Sequence, residues 1–169
     1  MGEHRGPVRF HELLRSLVDG NVDFVVVGGV AAVLEGAPVS TFDLDIVYSL
    51  DGSNIDGLAG VLDELDAAYV DPGGRTNRPT AERLRGGGHH LLRTTHGRLD
   101  VMGSVGAGLC YTDLLTRSSI RTIHGLEIAV LTLEALIATK ESAGRPKDRA
   151  VLDLLRETLA QQQAGNGEG

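Results

Sequence analysis

Tryptophan is absent from the 169 residues, there is one cysteine, and aromatic side chains make up only 4% of the chain. A single cysteine, Cys110, excludes an internal disulfide and fits a reducing compartment, so a cytoplasmic protein is expected. No base stands near Cys110 in the sequence, which predicts a small buried hydrophobe rather than a nucleophile. No run approaches the roughly 18 consecutive apolar residues of a membrane span. The stretch Met1 to Pro7 lacks the apolar centre of a secretory signal, and no membrane association is expected. A basic surplus is missing too. Sixteen Lys and Arg against 23 Asp and Glu leave a net charge of −7, which argues against broad non-specific binding to nucleic acid or anionic membranes. That balance leaves room for a local basic patch. Neither the Gly-x-Gly-x-x-Gly spacing of dinucleotide-binding folds nor the lysine of a P-loop occurs.

What is present is an ordinary globular composition, 41% hydrophobic and 23% charged, at a length that suits one domain. The pattern predicts a single domain over residues 1–160 and a polar, glycine-rich, flexible tail over 161–169. Apolar residues at Phe10, Leu13, Leu14 and Leu17 mark an amphipathic helix stopped by Gly20. A buried strand, Phe24 to Val27, then opens through Gly28-Gly29 into a short helix, Val30 to Leu34. A second strand carries Asp43 and Asp45. Ile55, Leu58, Val61, Leu62 and Leu65 trace a further helix, and Tyr69-Val70 a short strand. Residues 103–108 read as loop. Two hairpins turn at His96-Gly97 and His124-Gly125. A helix capped by Thr132 runs to about Ala143, and a last one starts at Pro146. The fold class is α/β, in the α+β sense: a small mixed sheet flanked by helices.

The two strand acids carry the chemistry. Side chains alternate along a strand, so Asp43 and Asp45 share a face and repel one another there. Asp100, an acid between Leu99 and Val101, needs a partner or a ligand. A divalent cation resolves both conflicts; Mg²⁺, with Mn²⁺ as the substitute, suits hard oxygen ligands shared with phosphates. Paired glycines at a strand-to-helix turn let a phosphate come close to the backbone. Lys140 falls near the apolar stripe of its helix, where a lysine wants an anion. Lys147, Asp148 and Arg149 read as surface charges at a helix start. From Arg75 to Arg98, six arginines face one glutamate. Asn77 to Arg85, with glycines on both sides, is expected to be a mobile segment that receives a polyanionic acceptor; the alternative is a surface loop neutralised by acids such as Asp63, Glu64 and Asp66. His89, His90 and His96 lack the spacing of a zinc site and are assigned no metal.

The run Val27-Gly28-Gly29-Val30-Ala31, followed by Ser40-Thr41-Phe42-Asp43-Leu44-Asp45-Ile46, resembles the opening of the polymerase-β nucleotidyltransferase superfamily. Gly97-Arg98-Leu99-Asp100-Val101-Met102, Leu133 to Lys140 and Arg145-Pro146-Lys147-Asp148-Arg149 extend the match over about residues 22–155. The chain is more closely similar to the bacterial nucleotidyltransferase-like proteins of abortive-infection and toxin–antitoxin systems. The resemblance implies Mg²⁺-dependent transfer of a nucleoside monophosphate from an NTP to a hydroxyl on RNA or protein. It makes Asp43, Asp45 and Asp100 the metal-binding and catalytic acids, and Gly28, Gly29, Thr41 and Lys140 the nucleotide-binding set. Asp148 matches a late acidic motif. A toxin or antitoxin partner is implied as well. Two positions depart from the pattern, Val39 where many relatives have arginine and Gly29 where the superfamily usually has serine. The rival expectation is an inactive module that keeps the fold and binds nucleotide or protein.

Overall fold

The computed structural model describes residues 8–167, and within them a first helix feeds straight into the centre of a sheet. Helix α1 (Phe10–Asp19) buries Leu13, Leu14 and Leu17. Strand β1 (Phe24–Val27) is buried at all four positions, as expected of apolar, mostly β-branched residues in a central strand. It passes directly into α2 (Gly28–Leu34), so the paired glycines lie inside the first turn of this helix rather than before it. Strand β2 (Asp43–Tyr48) returns antiparallel to β1, pairing Val27 with Asp45 and Val25 with Val47. Helix α3 (Gly52–Glu64) and the two-residue strand β3 (Ala68–Tyr69) follow.

Helix α4 (Ala81–Arg85) comes next; Thr80 caps it by accepting from the Arg83 N–H, and Leu84 is fully buried. Strands β4 (His89–Thr94) and β5 (Gly97–Met102) form the first expected hairpin, in which the Thr94 hydroxyl donates to the Gly97 carbonyl at 2.8 Å. A small second sheet, β6 (Ser104–Val105) with β7 (Leu109–Cys110), stands where the sequence predicts loop. Helix α5 (Tyr111–Leu115) leads into the second hairpin, β8 (Ser118–Ile123) and β9 (Leu126–Leu131). Its turn residues His124 and Gly125 both have positive φ, 47° and 82°, the backbone of a tight hairpin turn that matches strand twist. Helix α6 (Leu133–Ala143) is capped by Thr132 at its start and by left-handed Gly144 at its end. A single 3₁₀ turn (Pro146–Asp148) precedes α7 (Arg149–Asn166).

The main sheet has seven strands in the order β3-β4-β5-β2-β1-β9-β8. It is mixed: β2 runs parallel to β5 and β1 parallel to β9, while the other neighbours are antiparallel. Helices α2, α6 and α7 pack on one another in sequence, as do α1, α3 and α4. The Tyr48 hydroxyl donates to the Leu84 carbonyl at 2.7 Å, which fixes α4 against the face that carries Leu44 and Ile46. The opposite face, at the start of β2, carries the acids.

Two expectations are corrected here. Helix α7 continues through Gln161, Gln162, Gln163 and Ala164 to Asn166, where a flexible tail is predicted; these are good helix formers, and Gln162 donates to the Glu35 carbonyl at 2.6 Å. Cys110 is half-exposed rather than buried, with its thiol 3.1 Å from an Asp113 carboxylate oxygen at the start of α5.

Candidate active site

The registers of two strand pairs assemble the site. Parallel pairing of β2 with β5 sets Asp45 beside Asp100 and Asp43 beside Arg98. In-register neighbours point to one face, so three carboxylates separated by up to 57 positions in sequence meet there. One ligand oxygen from each lies within 4.8 Å of the other two. Asp100 is almost wholly buried, and its Oδ1 has no hydrogen-bond partner among the described residues. An orphaned buried carboxylate oxygen is costly unless something binds it. The three carboxylates therefore fit a divalent cation with hard oxygen preferences.

Metal-free, Asp45 and Asp100 resist ionisation. Burial, followed by the charges of Asp100 and Asp43, pushes Asp45 from the ordinary carboxylate range up to about 8. Burial and the charge of Asp43 raise Asp100 as well, partly offset by His89. His89 Nε2 stands 3.7 Å from Asp100 Oδ2. An acid whose folded pKa is raised binds extra protons in the folded state, so its contribution to stability is present at acidic pH and fades as pH rises through the folded value. The metal-free protein should accordingly lose stability between about pH 4 and pH 8, by at least about 1 kcal/mol, or roughly 2–4 °C at this chain length. Differential scanning calorimetry in chelator across that range tests this; Asp45→Asn should flatten the decline.

The glycines are shaped by the acids. A Cβ on Gly28 would lie 2.1 Å from Asp45 Oδ2, and Gly28 sits at φ +67°. A Cβ on Gly29 would lie 2.6 Å from Thr41 Oγ1. The pair thus admits the Asp45 carboxylate and the Thr41 hydroxyl against the turn, a reason for glycine additional to phosphate approach. Thr41 in turn donates to the Asp43 carbonyl at 3.1 Å and steadies the entry to β2.

Lys140, on α6, is largely buried and its charge reaches Asp45, whose pKa it lowers slightly. Its Nζ is 3.7 Å from Asp148 Oδ1, and Arg145 Nε donates to Asp148 Oδ2 at 2.9 Å. Asp148 is therefore a buried anion between two cations, not the surface charge expected at a helix start.

The arginine-rich stretch divides. Arg75 pairs with Asp71, Arg78 with Asp66 and Arg85 with Asp56. Arg83 lies over the Tyr69 ring, 5.3 Å from its centroid. The segment expected to be mobile from Asn77 to Arg85 is instead built in: Asn77 accepts from the Tyr69 N–H, Leu84 is buried, and the next turn is held through His90. His90 is a structural residue. Its Nε2–H donates to the Gly87 carbonyl at 2.7 Å, and Nδ1 accepts from the Tyr69 hydroxyl at 2.7 Å.

Comparison with solved structures decides the fold. A Thermotoga maritima protein described provisionally as a nucleotidyltransferase superposes with a TM-score of 0.56 at 19% identity, over 95% of this chain and 99% of that one. ANT(2'')-Ia, solved in complex with adenylyl-2''-tobramycin, gives 0.58 at 14% identity, over 94% and 90%. The chain shares the α/β fold of these proteins. An antigenic nucleotidyltransferase-like protein from Paracoccidioides brasiliensis shares it, with a TM-score of 0.53 at 19% identity over 92% and 79%. No family model and no curated protein sequence matches this chain. Within this nucleotidyltransferase fold, the mixed sheet presents Asp43, Asp45 and Asp100 together on neighbouring strands. No helix of the described residues is long and apolar enough to cross a membrane.

Sequence reasoning missed His89 and misplaced Asp148. The hairpin register would have found the first, since Leu91 stands opposite Asp100 and His89 is two residues along the same face. The second needs the packing of α6 against the 3₁₀ turn, which no local pattern encodes.

Proposed function

We propose that this protein is a Mg²⁺-dependent nucleotidyltransferase that moves a nucleoside monophosphate from an NTP to a hydroxyl acceptor, with Mn²⁺ able to replace Mg²⁺. The observation that carries the reading is the buried, unpartnered Asp100 Oδ1 in a cluster of three carboxylates on the nucleotidyltransferase fold. Asp43, Asp45 and Asp100 would hold the metal, which would supply positive charge to neutralise the phosphates and Lewis acidity toward the transferred phosphoryl group. Burial and repulsion keep Asp45 and Asp100 poised to give up a proton when a cation arrives. Gly28 and Gly29 offer a turn free of Cβ atoms where a triphosphate can lie against backbone, with Thr41 beside it. Lys140 supplies positive charge close to Asp45, and Asp148 with Arg145 holds it in place.

Lys140→Ala should weaken Mg–NTP binding by about 10- to 100-fold, the loss of one charge-assisted donor of roughly 1.5–3 kcal/mol, and should also lower the melting temperature, because the buried Asp148 keeps only Arg145 as counter-charge. Calorimetric titration measures it; unchanged affinity would return Lys140 to a purely structural pairing with Asp148. The transfer itself is tested with NTPs labelled at the α- or γ-phosphate, incubated with Mg²⁺ and total cellular RNA or protein. Label should pass to an acceptor only from the α-position, with release of pyrophosphate, and chelation should stop it. Tight Mg–NTP binding without transfer of α-label to any acceptor would identify a binding module instead. The retention of all three acids on one face favours turnover.

A further inference from the structure

The two ends of the main sheet are finished differently. At one end β3 is only two residues long, and the Tyr69 N–H on its outer side donates to the Asn77 carbonyl at 2.7 Å. At the other end β8 runs for six residues, and no described segment pairs with its outer side. The hairpin fixes which of its backbone groups face outward. The Arg117 carbonyl accepts from the Thr132 N–H, and the two-residue turn makes Ile123 and Leu126 the bonded pair nearest to it. Bonded and non-bonded positions alternate along an antiparallel ladder, so Ser119, Arg121 and Ile123 direct their N–H and C=O groups to β9. Ser118, Ile120 and Thr122 turn theirs outward, where they meet no backbone partner among the described residues.

The features that blunt a sheet edge are missing from β8. It contains no proline, glycine or lysine, and its register against β9 is continuous from Ser118 to Ile123, which leaves no bulge. Its one charged side chain, Arg121, is engaged by Glu35 at 3.0 Å. Ile120, the middle one of the outward-facing positions, is 64% exposed.

We propose that β8 is a dimerisation edge, paired antiparallel with the same strand of a second copy about a two-fold axis at Ile120. The outward positions are symmetric about that residue, which argues for a second copy over an unrelated strand. Ile120 then falls opposite Ile120 of the partner subunit, and Ser118 opposite Thr122 of the partner subunit. Each of these pairs exchanges both of its hydrogen bonds, so no outward N–H or C=O is left over. The side chains agree with that register. The exposed isoleucines cover one another, serine and threonine hydroxyls face each other, and Arg121 stands opposite a serine instead of a like charge. Centring the axis on Arg121 would set like charges face to face and match groups already bonded to β9. An edge about 20 Å long buries less than the roughly 1,200 Å² of a standard interface, so the association is reversible and shows at high protein concentration. Strands β1 and β9 separate β8 from the acid-bearing β2 and β5, so pairing leaves the three carboxylates uncovered.

Sedimentation equilibrium from micromolar to millimolar protein, with amide hydrogen exchange on the same samples, tests the proposal. Wild type should pass from monomer to dimer, and the Ile120 and Thr122 amides should exchange at least about tenfold more slowly in the dimer. Thr122→Pro removes an outward donor and leaves the β9 ladder intact, since a proline is tolerated on the solvent side of an edge strand. It should weaken association at least about tenfold, as should Ile120→Lys, while Ile120→Val should retain it. Melting temperatures close to wild type at micromolar concentration, where all are monomers, confirm that the variants fold. A monomer throughout the range overturns the dimer. Association unchanged in both Thr122→Pro and Ile120→Lys, or a dimer whose Ile120 and Thr122 amides stay unprotected, overturns β8 as its interface.

Discussion

Asp45→Asn should abolish nucleotidyl transfer, by at least about 10³-fold in rate, while leaving the metal-free protein as stable as wild type or more stable at pH 8. The two halves of this result share a cause. Asp45 is held in a partly buried site beside two further carboxylates, which push its pKa up to about 8. At pH 8 the folded state therefore carries a repulsive charge that the unfolded chain does not feel. Asparagine keeps the shape and removes the charge, which relieves the fold and removes a metal ligand in the same change. A merely structural aspartate would behave oppositely: its replacement would cost stability through lost hydrogen bonds and spare any activity. Steady-state transfer assays and calorimetry on the same preparation separate the two cases.

Gly28→Ala should cripple the site from the backbone side. Position 28 has φ +67°, where a non-glycine residue is strained by about 1 kcal/mol, and its new Cβ would collide with Asp45 Oδ2. Gly74 gives the matched control, with φ +74° and nothing within 4 Å of a built Cβ. Gly74→Ala should cost only the conformational part, about 1 kcal/mol. Gly28→Ala should cost about 1–3 kcal/mol more and lower transfer by at least about 100-fold, since displacement of a reacting group by about 1 Å carries a penalty of that order. Equal effects of the two substitutions on both melting temperature and activity would show that Gly28 serves the turn alone.

Much of this architecture is legible in the sequence where the determinants are local. The apolar run Phe24 to Val27, the alternation around Asp43 and Asp45, the Thr132 cap with Gly144 as a stop, and the hairpin turn at His124-Gly125 each encode their own backbone. Asp100 could be singled out as an acid in an apolar strand, but only the family resemblance grouped it with Asp43 and Asp45; no local pattern does so, because the parallel pairing of β2 with β5 joins segments more than 50 residues apart. Of the acids expected to neutralise the arginines, Asp66 does so, pairing with Arg78, while Asp63 and Glu64 do not. Asp56, the partner of Arg85, sits on α3, and nothing in the stretch from Arg75 to Arg85 signals it. Gly86, Gly87 and Gly88 suggest mobility by composition, yet the Gly87 carbonyl is anchored by a buried histidine. The small β6–β7 sheet escaped notice because two-residue strands flanked by Gly103, Gly106 and Gly108 have no periodicity to detect.

Metal binding by the three acids is the claim on which the rest depends, and titration of Mn²⁺ into the protein, followed by electron paramagnetic resonance and by the shift in melting temperature, tests it most directly. Wild type should bind Mn²⁺, release protons as it does so at pH 7, and melt higher as the metal concentration rises. Asp43→Asn, Asp45→Asn protein should show neither the bound-metal signal nor the shift. Equal Mn²⁺ binding and equal melting shifts in the two proteins would contradict the account.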